Sequence, residues 1–243
     1  MYKSSLINEK LIEIREFCNA NTNQKNIDKY SRYFREGFDG YGIDHKVYAE
    51  QLAKWIRVWQ DELTIDDYLD LGDELMKTGR YEEKSFAISF LESEKENFSE
   101  EVFRRIGLWF DYGIDNWGNT DVLCMLILPH FISDRVIDLH KLGEWSSSTS
   151  EWKRRAVPVT LVELAKKDLK PEEAFSIVEP LMPDESEYVR KGLGTLLRTI
   201  WKSYPEETEA FLMKWKDSCG RLIIQYATEK MDKEYRKKFR KSK

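Results

Sequence analysis

Apolar side chains recur every three or four residues along almost the whole chain, which is the spacing of one face of an α-helix. The first such stripe consists of Leu6, Ile7, Leu11, Ile12 and Ile14. Further helices are predicted over residues 47–59, 64–77, 82–91, 100–111, 121–131, 134–142, 151–166, 171–181, 187–201, 205–216 and 221–230. No segment shows the strict alternation of a half-buried strand. The pattern therefore predicts an all-α protein.

A second aromatic stripe has the same helical spacing. It consists of Tyr30, Tyr33, Phe34 and Phe38, and a Gly-Tyr-Gly segment follows at residues 40–42. Because glycine commonly ends helices, we expect a helix that contains this stripe and stops at residue 40.

Cap residues mark several of the predicted helix starts. Thr64 and Ser99 precede acidic first turns, and Pro171 and Pro205 stand where a first helical turn tolerates a missing N–H donor. The connections are short, and no crisp sequence period recurs. Consecutive helices joined by short turns predict an α-solenoid of degenerate HEAT-like pairs with a concave face, as a single domain over residues 1–243.

Composition narrows the class of protein. Hydrophobic residues make up 41% of the chain and charged residues 34%, which is typical of soluble globular proteins. No window contains the ~20 apolar residues of a membrane span, and the charged N-terminus lacks a signal-peptide core, so we expect a cytoplasmic protein without membrane contact. The three cysteines and three histidines have no metal-ligand spacing. We therefore expect no metal and no disulfide.

The net charge of −5 disfavours nucleic-acid binding when it is taken alone, because phosphates attract a positive surface. The charge is segregated, however. Residues 61–73 are acidic, whereas residues 230–243 are rich in lysine and arginine. We predict that the latter form a basic C-terminal helix or tail, and a frayed, solvated terminus explains the same composition.

The most unusual segment surrounds one large aromatic residue, Trp117, with polar and small residues between Asp115 and Asp121. If Trp117 and Asp121 lie near the first turn of a helix, their i, i+4 spacing places the indole and the carboxylate on one side. Such a pair can pack on a sugar or base and stabilise a developing cation. Ordinary packing of the tryptophan and a favourable charge at a helix N-terminus explain the same two residues.

Two later helices carry clusters of cations, which are Lys153, Arg154 and Arg155 in the first and Arg190, Lys191 and Arg198 in the second. The first cluster occupies an N-terminal turn, where positive charge opposes the helix macrodipole. Contacts to a phosphate backbone would explain both clusters. Surface salt bridges, to Glu185 and Glu187 in the second cluster, explain them equally well.

Five sequence elements, in this order, resemble the AlkD-like DNA alkylation repair proteins. They are Tyr33-Phe34-Arg35 through Phe38 with Tyr41-Gly42-Ile43, the run from Arg80 to Ala87, Trp117-x-x-x-Asp121, Trp152-x-x-Arg155-Ala156, and Arg190-Lys191-Gly192-Leu193-Gly194 with Leu197-Arg198. The resemblance covers roughly residues 24 to 230. It implies HEAT-like helix pairs around a concave DNA-binding groove and, for glycosylase members, excision of N3- and N7-alkylated purines.

The resemblance also implies roles for individual residues. Trp117 and Asp121 match the family's site tryptophan and aspartate, and Arg155 matches its backbone-contacting arginine. The other five cations of the two clusters are then expected to contact DNA, and so is Tyr33. One position departs from the family, because Thr195 stands where the family has a second site tryptophan. A smaller aromatic surface would therefore meet the DNA there.

An alkylated purine already carries positive charge and leaves without a general acid, so one carboxylate can suffice for its release. We therefore expect a monomeric glycosylase of alkylated purines in double-stranded DNA that uses no cofactor. Asp121 would stabilise the sugar cation while Trp117 packs on the deoxyribose. Two alternatives stay open. One is a non-catalytic paralogue that binds branched or distorted DNA, which Thr195 favours, and the other is a HEAT-like protein-interaction scaffold, which the negative net charge permits.

Overall fold

A computed structural model describes residues 2–35, 37–167 and 169–242, with the side chains of residues 2–4 outside the description. All regular secondary structure in these ranges is helical, so the predicted all-α class is confirmed. The backbone packs into two compact units, Met1–Leu123 and Cys124–Lys243. The single domain expected over residues 1–243 stays a prediction. None of the described helices is long and apolar enough to cross a membrane.

The helices of the first unit are α1 (Tyr2–Ala20), α2 (Gln24–Tyr30), α3 (His45–Trp59), α4 (Ile65–Thr78), α5 (Tyr81–Ser93) and α6 (Glu100–Tyr112). The boundary between the units falls inside α7 (Trp117–Leu126). The second unit contains α8 (Leu128–Ser133), α9 (Leu139–Gly143), α10 (Glu151–Ala165), α11 (Pro171–Val178), α12 (Glu187–Trp201), α13 (Pro205–Trp215) and α14 (Arg221–Ala227). Short 3-10 turns cover Lys95–Asn97, Glu144–Ser147, Glu179–Leu181 and Tyr235–Phe239.

The core of the first unit is built around α5, against which α1, α3 and α4 pack. Trp55 and Trp59 stack on each other with ring centroids 5.1 Å apart, and Phe86 and Phe90 of α5 contact them. All four side chains are almost completely buried. Because each such side chain contributes ~1.5–3 kcal/mol or more on burial, this aromatic cluster places α5 firmly within the unit.

The predicted caps are present. The Thr64 side chain accepts from the Asp67 N–H, the Asp67 carboxylate accepts from the Thr64 N–H, and Ser99 caps α6. Pro171 and Pro205 stand in the first turns of α11 and α13. These local rules located the helix starts because a cap depends on only a few neighbouring residues.

In the second unit, α12 packs against α10 on one side and α14 on another. Two glycines make the approach possible. A Cβ on Gly192 would lie 3.2 Å from the Pro158 ring of α10, and one on Gly194 would lie 2.4 Å from Tyr226 Cβ of α14. The helix pairs expected from the sequence are therefore closely packed here.

The helix predicted for the second aromatic stripe is wrong. Helix α2 ends at Tyr30, and the described residues from 31 to 44 form no helix. Phe34 and Phe38 instead pack on Tyr81 at ring distances of 5.6 and 5.1 Å. Tertiary contacts of the aromatic rings produce the same sequence spacing as a helical face. We name residues 31–35 and 37–43 the aromatic loop.

Two further helix predictions are corrected by breaks in the backbone. The helix expected over residues 121–131 divides at Ile127, because Pro129 in the first turn of α8 has no N–H to donate. The helix expected from residue 134 begins only at Leu139, with Asp138 as its cap. Arg135 adopts a left-handed φ of 58°, so the backbone between α8 and α9 does not continue as a right-handed helix.

The basic C-terminal segment is packed onto the second unit rather than frayed. Its 3-10 turn buries Phe239 completely. The Ser242 N–H donates to Asp217 Oδ1 at 2.6 Å, and Lys238 Nζ lies 2.5 Å from Glu209 Oε2. The buried side chains of Met231 and Phe239, together with these polar contacts, therefore hold the segment in place.

Candidate functional site

Helix α7 begins at the unusual tryptophan, Trp117, because Asn116 caps it. Asn116 Oδ1 accepts from the Asn119 N–H at 2.9 Å, and the Asn116 carbonyl accepts from the Thr120 N–H and hydroxyl. Trp117 is thus the first helical residue, and Asp121 follows one turn later. The i, i+4 placement predicted from the sequence is present, so the indole and the carboxylate project from one side of α7.

The aromatic loop holds the indole of Trp117. Trp117 Nε1 donates to the Tyr33 carbonyl at 3.2 Å, and the Phe34 ring stacks on the indole with centroids 5.2 Å apart and planes inclined by 19°. Trp117 is half-buried. Stacking on one face and a hydrogen bond at the edge orient the ring in two ways at once. The Tyr33 ring itself is 63% exposed.

Asp121 is half-buried and lies close enough to Tyr81 to influence its ionisation. Burial raises the pKa of Tyr81 to about 12, and the charges of Glu82 and Asp121 add to this effect. The phenol therefore stays protonated at neutral pH. Gly118 makes room for it, since a Cβ there would lie 2.8 Å from the Tyr81 hydroxyl oxygen.

Helix α7 is tied to α5 by one buried amide. Asn119 is completely buried, and its Nδ2 donates to the Tyr81 carbonyl at 3.3 Å and to Ser85 Oγ at 3.0 Å. The first turn of α7 is consequently held against α5, and the Trp117–Asp121 pair takes its position from that contact.

Two residues at the start of α5 hold the end of the aromatic loop. The buried Glu82 carboxylate accepts from the N–H groups of Tyr41, Gly42 and Ile43 at 2.7, 2.7 and 3.2 Å. Arg80 Nη2 donates to the Gly40 carbonyl at 2.9 Å. A carboxylate that accepts three backbone N–H groups in a buried place fixes the loop conformation strongly.

A surface cavity of about 260 Å³ adjoins this loop. Its lining includes Phe34, Phe38 and Tyr81, with polar groups from both the loop and α5. The two cations that line it have carboxylate partners, because Arg80 pairs with Asp39 at 2.6 Å and Lys84 pairs with Asp115 at 3.0 Å. The cavity is therefore aromatic with its charges paired.

The cations predicted from the sequence lie in the second unit and have partners within it. Arg154 Nε contacts Asp184 Oδ2 at 2.6 Å, and Arg154 Nη1 donates to the carbonyls of Ser148 and Thr149. Arg155 is 9% exposed, and its Nη1 donates to the Tyr188 carbonyl at 2.5 Å. These two guanidinium groups thus hold the connections around α10 and α12.

The remaining predicted cations are also engaged. Lys191 pairs with Glu187 at 2.6 Å, as the salt-bridge alternative anticipated, and Arg198 pairs with Glu229. Arg190 Nε donates to the Asp184 carbonyl at 2.5 Å. Lys153 Nζ lies 5.6 Å from the centre of the Trp145 ring, within cation–π distance.

Thr195, at the position of the departure, is a half-buried residue of α12. Its carbonyl accepts from the Thr199 hydroxyl at 2.9 Å. The structure brings together Trp117, Asp121 and the Tyr33 backbone within the first unit, and the six cations and Thr195 belong to the second unit. Contact of these residues with DNA stays a prediction.

Sequence reasoning missed the residues that position the Trp117–Asp121 pair. Glu82 resembles an ordinary acidic residue in a helix's first turn, and Asn119 resembles an ordinary polar residue near a helix start. Their partners are 40 or so positions away in the chain, at Tyr41 and Tyr81 respectively. The available signal was Gly118 beside a large aromatic residue, which indicates close approach of another element.

Comparisons with known proteins agree with this architecture. A family model described as DNA alkylation repair enzyme matches residues 14–231. Among solved structures, a predicted DNA alkylation repair enzyme from Enterococcus faecalis superposes with a TM-score of 0.76 at 14% identity, covering 88% of this chain and 98% of that one. No curated protein matches.

Two Streptococcus mutans structures are also similar. AlkD2 gives a TM-score of 0.61 at 20% identity and covers 86% of this chain and 99% of its own. The smu.31 protein of strain UA159 gives 0.60 at 20% identity, with coverages of 77% and 94%. At these identities the superpositions establish the fold, whereas the family match spans most of the sequence. The chain belongs to the DNA alkylation repair enzyme family.

Proposed function

We propose that this protein is a DNA glycosylase that hydrolyses the N-glycosidic bond of N3- and N7-alkylated purines in duplex DNA. Membership of the family supports a role in DNA alkylation repair. The observation that carries the finer proposal is the Trp117–Asp121 pair, with the indole held by Phe34 and the carboxylate one helical turn away. An aromatic surface beside a carboxylate suits a sugar that becomes cationic.

The chemistry requires one carboxylate because the leaving base is already cationic. The bond between the sugar C1′ and the alkylated purine breaks, its electron pair neutralises the purine, and the sugar becomes an oxocarbenium-like cation. Asp121 stabilises this cation and orients a water molecule that attacks C1′ and loses a proton. Trp117 packs on the deoxyribose. No proton has to be delivered to the base.

Among the cations of the second unit, some are proposed to contact DNA phosphates and others are not. Lys191 forms a surface ion pair that is worth little, so a DNA phosphate could replace Glu187 as its partner. Lys153 and Arg155 extend the same basic group, and Arg155 is held in one orientation by the Tyr188 carbonyl. Arg198 also forms a surface ion pair, with Glu229, and is open to the same exchange. Arg154 and Arg190 both contact Asp184 and serve mainly to hold the unit together.

Base release from methylated duplex DNA tests the proposal. The wild type is expected to release 7-methylguanine and 3-methyladenine but not uracil from a matched duplex, because uracil leaves as an anion that this site does not assist. Asp121→Asn is expected to lose release of the methylated purines. Failure of the wild type to release either purine, or equal release by Asp121→Asn, contradicts the proposal.

A second candidate is a non-catalytic protein that binds branched or distorted DNA. Thr195 favours it, because the chain lacks the indole that the resemblance leads us to expect at this position. Binding of branched duplexes without base release would support this candidate. If neither binding nor release occurs, or if DNA affinity does not fall as salt rises, a protein-interaction scaffold replaces both.

A further inference from the structure

A second cavity lies in the second unit, between α14 and the C-terminal 3-10 turn. Its volume is about 150 Å³. Three arginines line it, namely Arg221, Arg236 and Arg240. Apolar atoms of Ile224 and the buried Phe239 contribute to the same lining. Three guanidinium groups thus border one small cavity.

None of these three arginines has a carboxylate partner among the residues that the structure describes, whereas two nearby cations are paired, Lys237 with Glu234 and Arg198 with Glu229. Lys233 and Lys241 are likewise unpaired among these residues, but they do not line the cavity. Three like charges around one cavity repel one another, so the arrangement favours an anion between them.

The segment that carries two of the arginines is held in place. Phe239 lies between Arg236 and Arg240 in the sequence and is completely buried, so it attaches this segment to the unit. The Ser242–Asp217 hydrogen bond secures the residues that follow. The guanidinium groups of this pair are exposed but start from a defined backbone. They therefore line the cavity as parts of the fold.

We propose that this arginine cavity binds a backbone phosphate of DNA. Guanidinium groups present several N–H donors that match phosphate oxygens, which makes arginine well suited to this ligand. The proposal rests on the DNA-binding role argued above. It adds residues to that role, because Arg236 and Arg240 lie beyond residue 231, where the family match ends. The cavity also contrasts with the aromatic cavity of the first unit, whose cations are paired.

Paired variants with the same net charge provide the test. Arg236→Gln with Arg240→Gln removes two cavity arginines, and Lys233→Gln with Lys241→Gln removes two exposed lysines of the same segment that do not line the cavity. Affinity for an undamaged duplex is measured over a salt series. Loss of one phosphate contact is expected to reduce the slope of log K against log salt by about 0.9 for the arginine variant. The lysine variant is expected to keep the wild-type slope.

Two results would overturn the proposal. The first is an equal change of slope in both double variants, which would indicate a general charge effect. The second is an unchanged slope in the arginine variant. If inorganic phosphate nevertheless perturbs the arginine Nε–H NMR signals of the wild type, the cavity is a site for free phosphate. Base release is measured separately on the same proteins. A wild type that releases no base but shows the expected slope difference would refute the glycosylase proposal and leave the arginine cavity supported.

Discussion

The two units differ in the contacts that their candidate functional residues make. In the first unit, other residues position the Trp117–Asp121 pair. Glu82 holds the aromatic loop, and Asn119 holds α7 against α5. In the second unit, two of the cations predicted to contact DNA also make internal contacts, because Arg154 donates to Asp184 and to two backbone carbonyls and Arg155 donates to the Tyr188 carbonyl. The first arrangement positions a site, and the second holds helices together.

The difference shows that a cluster of basic residues in a sequence does not by itself indicate contact with phosphate. A cation in the sequence is equally consistent with a phosphate contact and with an internal partner, and only the fold decides between them. An aromatic and a carboxylate at i, i+4 are more constrained, since helix geometry alone places them on one side. The exposed arginines of the C-terminal cavity are therefore better candidates for phosphate contacts than Arg154 and Arg190, whose donors contact Asp184.

The largest effect is expected from removing the carboxylate that holds the aromatic loop. Glu82→Ala leaves three backbone N–H groups without their acceptor and should lower the free energy of unfolding by about 3 kcal/mol or more. Urea denaturation measures this loss. Glu92→Ala, an exposed position on the same helix, should stay within about 0.5 kcal/mol of the wild type. A stability of Glu82→Ala equal to that of the control would refute the positioning role.

A smaller loss is expected from Arg154→Gln. It breaks the ion pair with Asp184, whose side chain is only 7% exposed, and should lower the free energy of unfolding by about 2 kcal/mol. Lys191→Gln, which breaks a surface pair, should change it by less than about 0.5 kcal/mol. DNA affinity is measured on both. The contrast between the units fails if Arg154→Gln keeps wild-type stability and loses DNA affinity.

The stacking partner of Trp117 gives a third, smaller effect. Phe34→Ala should destabilise the fold by about 1 kcal/mol and slow base release by about 10-fold, because the indole loses the ring that orients it. Phe38→Ala is the matched control, since Phe38 lies in the same loop and contacts Phe34 of the loop and Tyr81 of α5. If both variants slow release equally, the Phe34 stack has no particular role.

The smallest effect concerns the C-terminal segment in acid. The hydrogen bond from Lys216, followed by that from the Ser242 N–H, lowers the pKa of Asp217 to about 2 from its ordinary 3.8. The stabilisation is therefore present above about pH 4 and disappears as the pH falls through about 2. The Ser242 amide NMR shift should titrate with a midpoint near pH 2. A midpoint near pH 4 would mean that Asp217 does not hold this segment.

Local rules predicted much of the fold and only part of the site. Caps such as Thr64 and Ser99 and the placement of Trp117 against Asp121 depend on neighbours within one turn, so the sequence contains them. The aromatic loop was mistaken for a helix because Phe34 and Phe38 bury their rings on Tyr81, far away in the chain. The partners of the cations were equally hidden, since a sequence does not show which carboxylate a side chain will meet.

The most direct test of the central claim is the single-turnover rate of 7-methylguanine release by Asp121→Asn, measured together with its dissociation constant for the same duplex. Asp66→Asn is the matched control, because Asp66 is an exposed carboxylate in the first turn of α4, outside the candidate site. We predict a rate at least about 100-fold below that of the wild type, with an unchanged dissociation constant and a control close to the wild type. An Asp121→Asn rate equal to the wild-type rate, or a wild type that releases no base, would contradict the assignment of catalysis to Asp121.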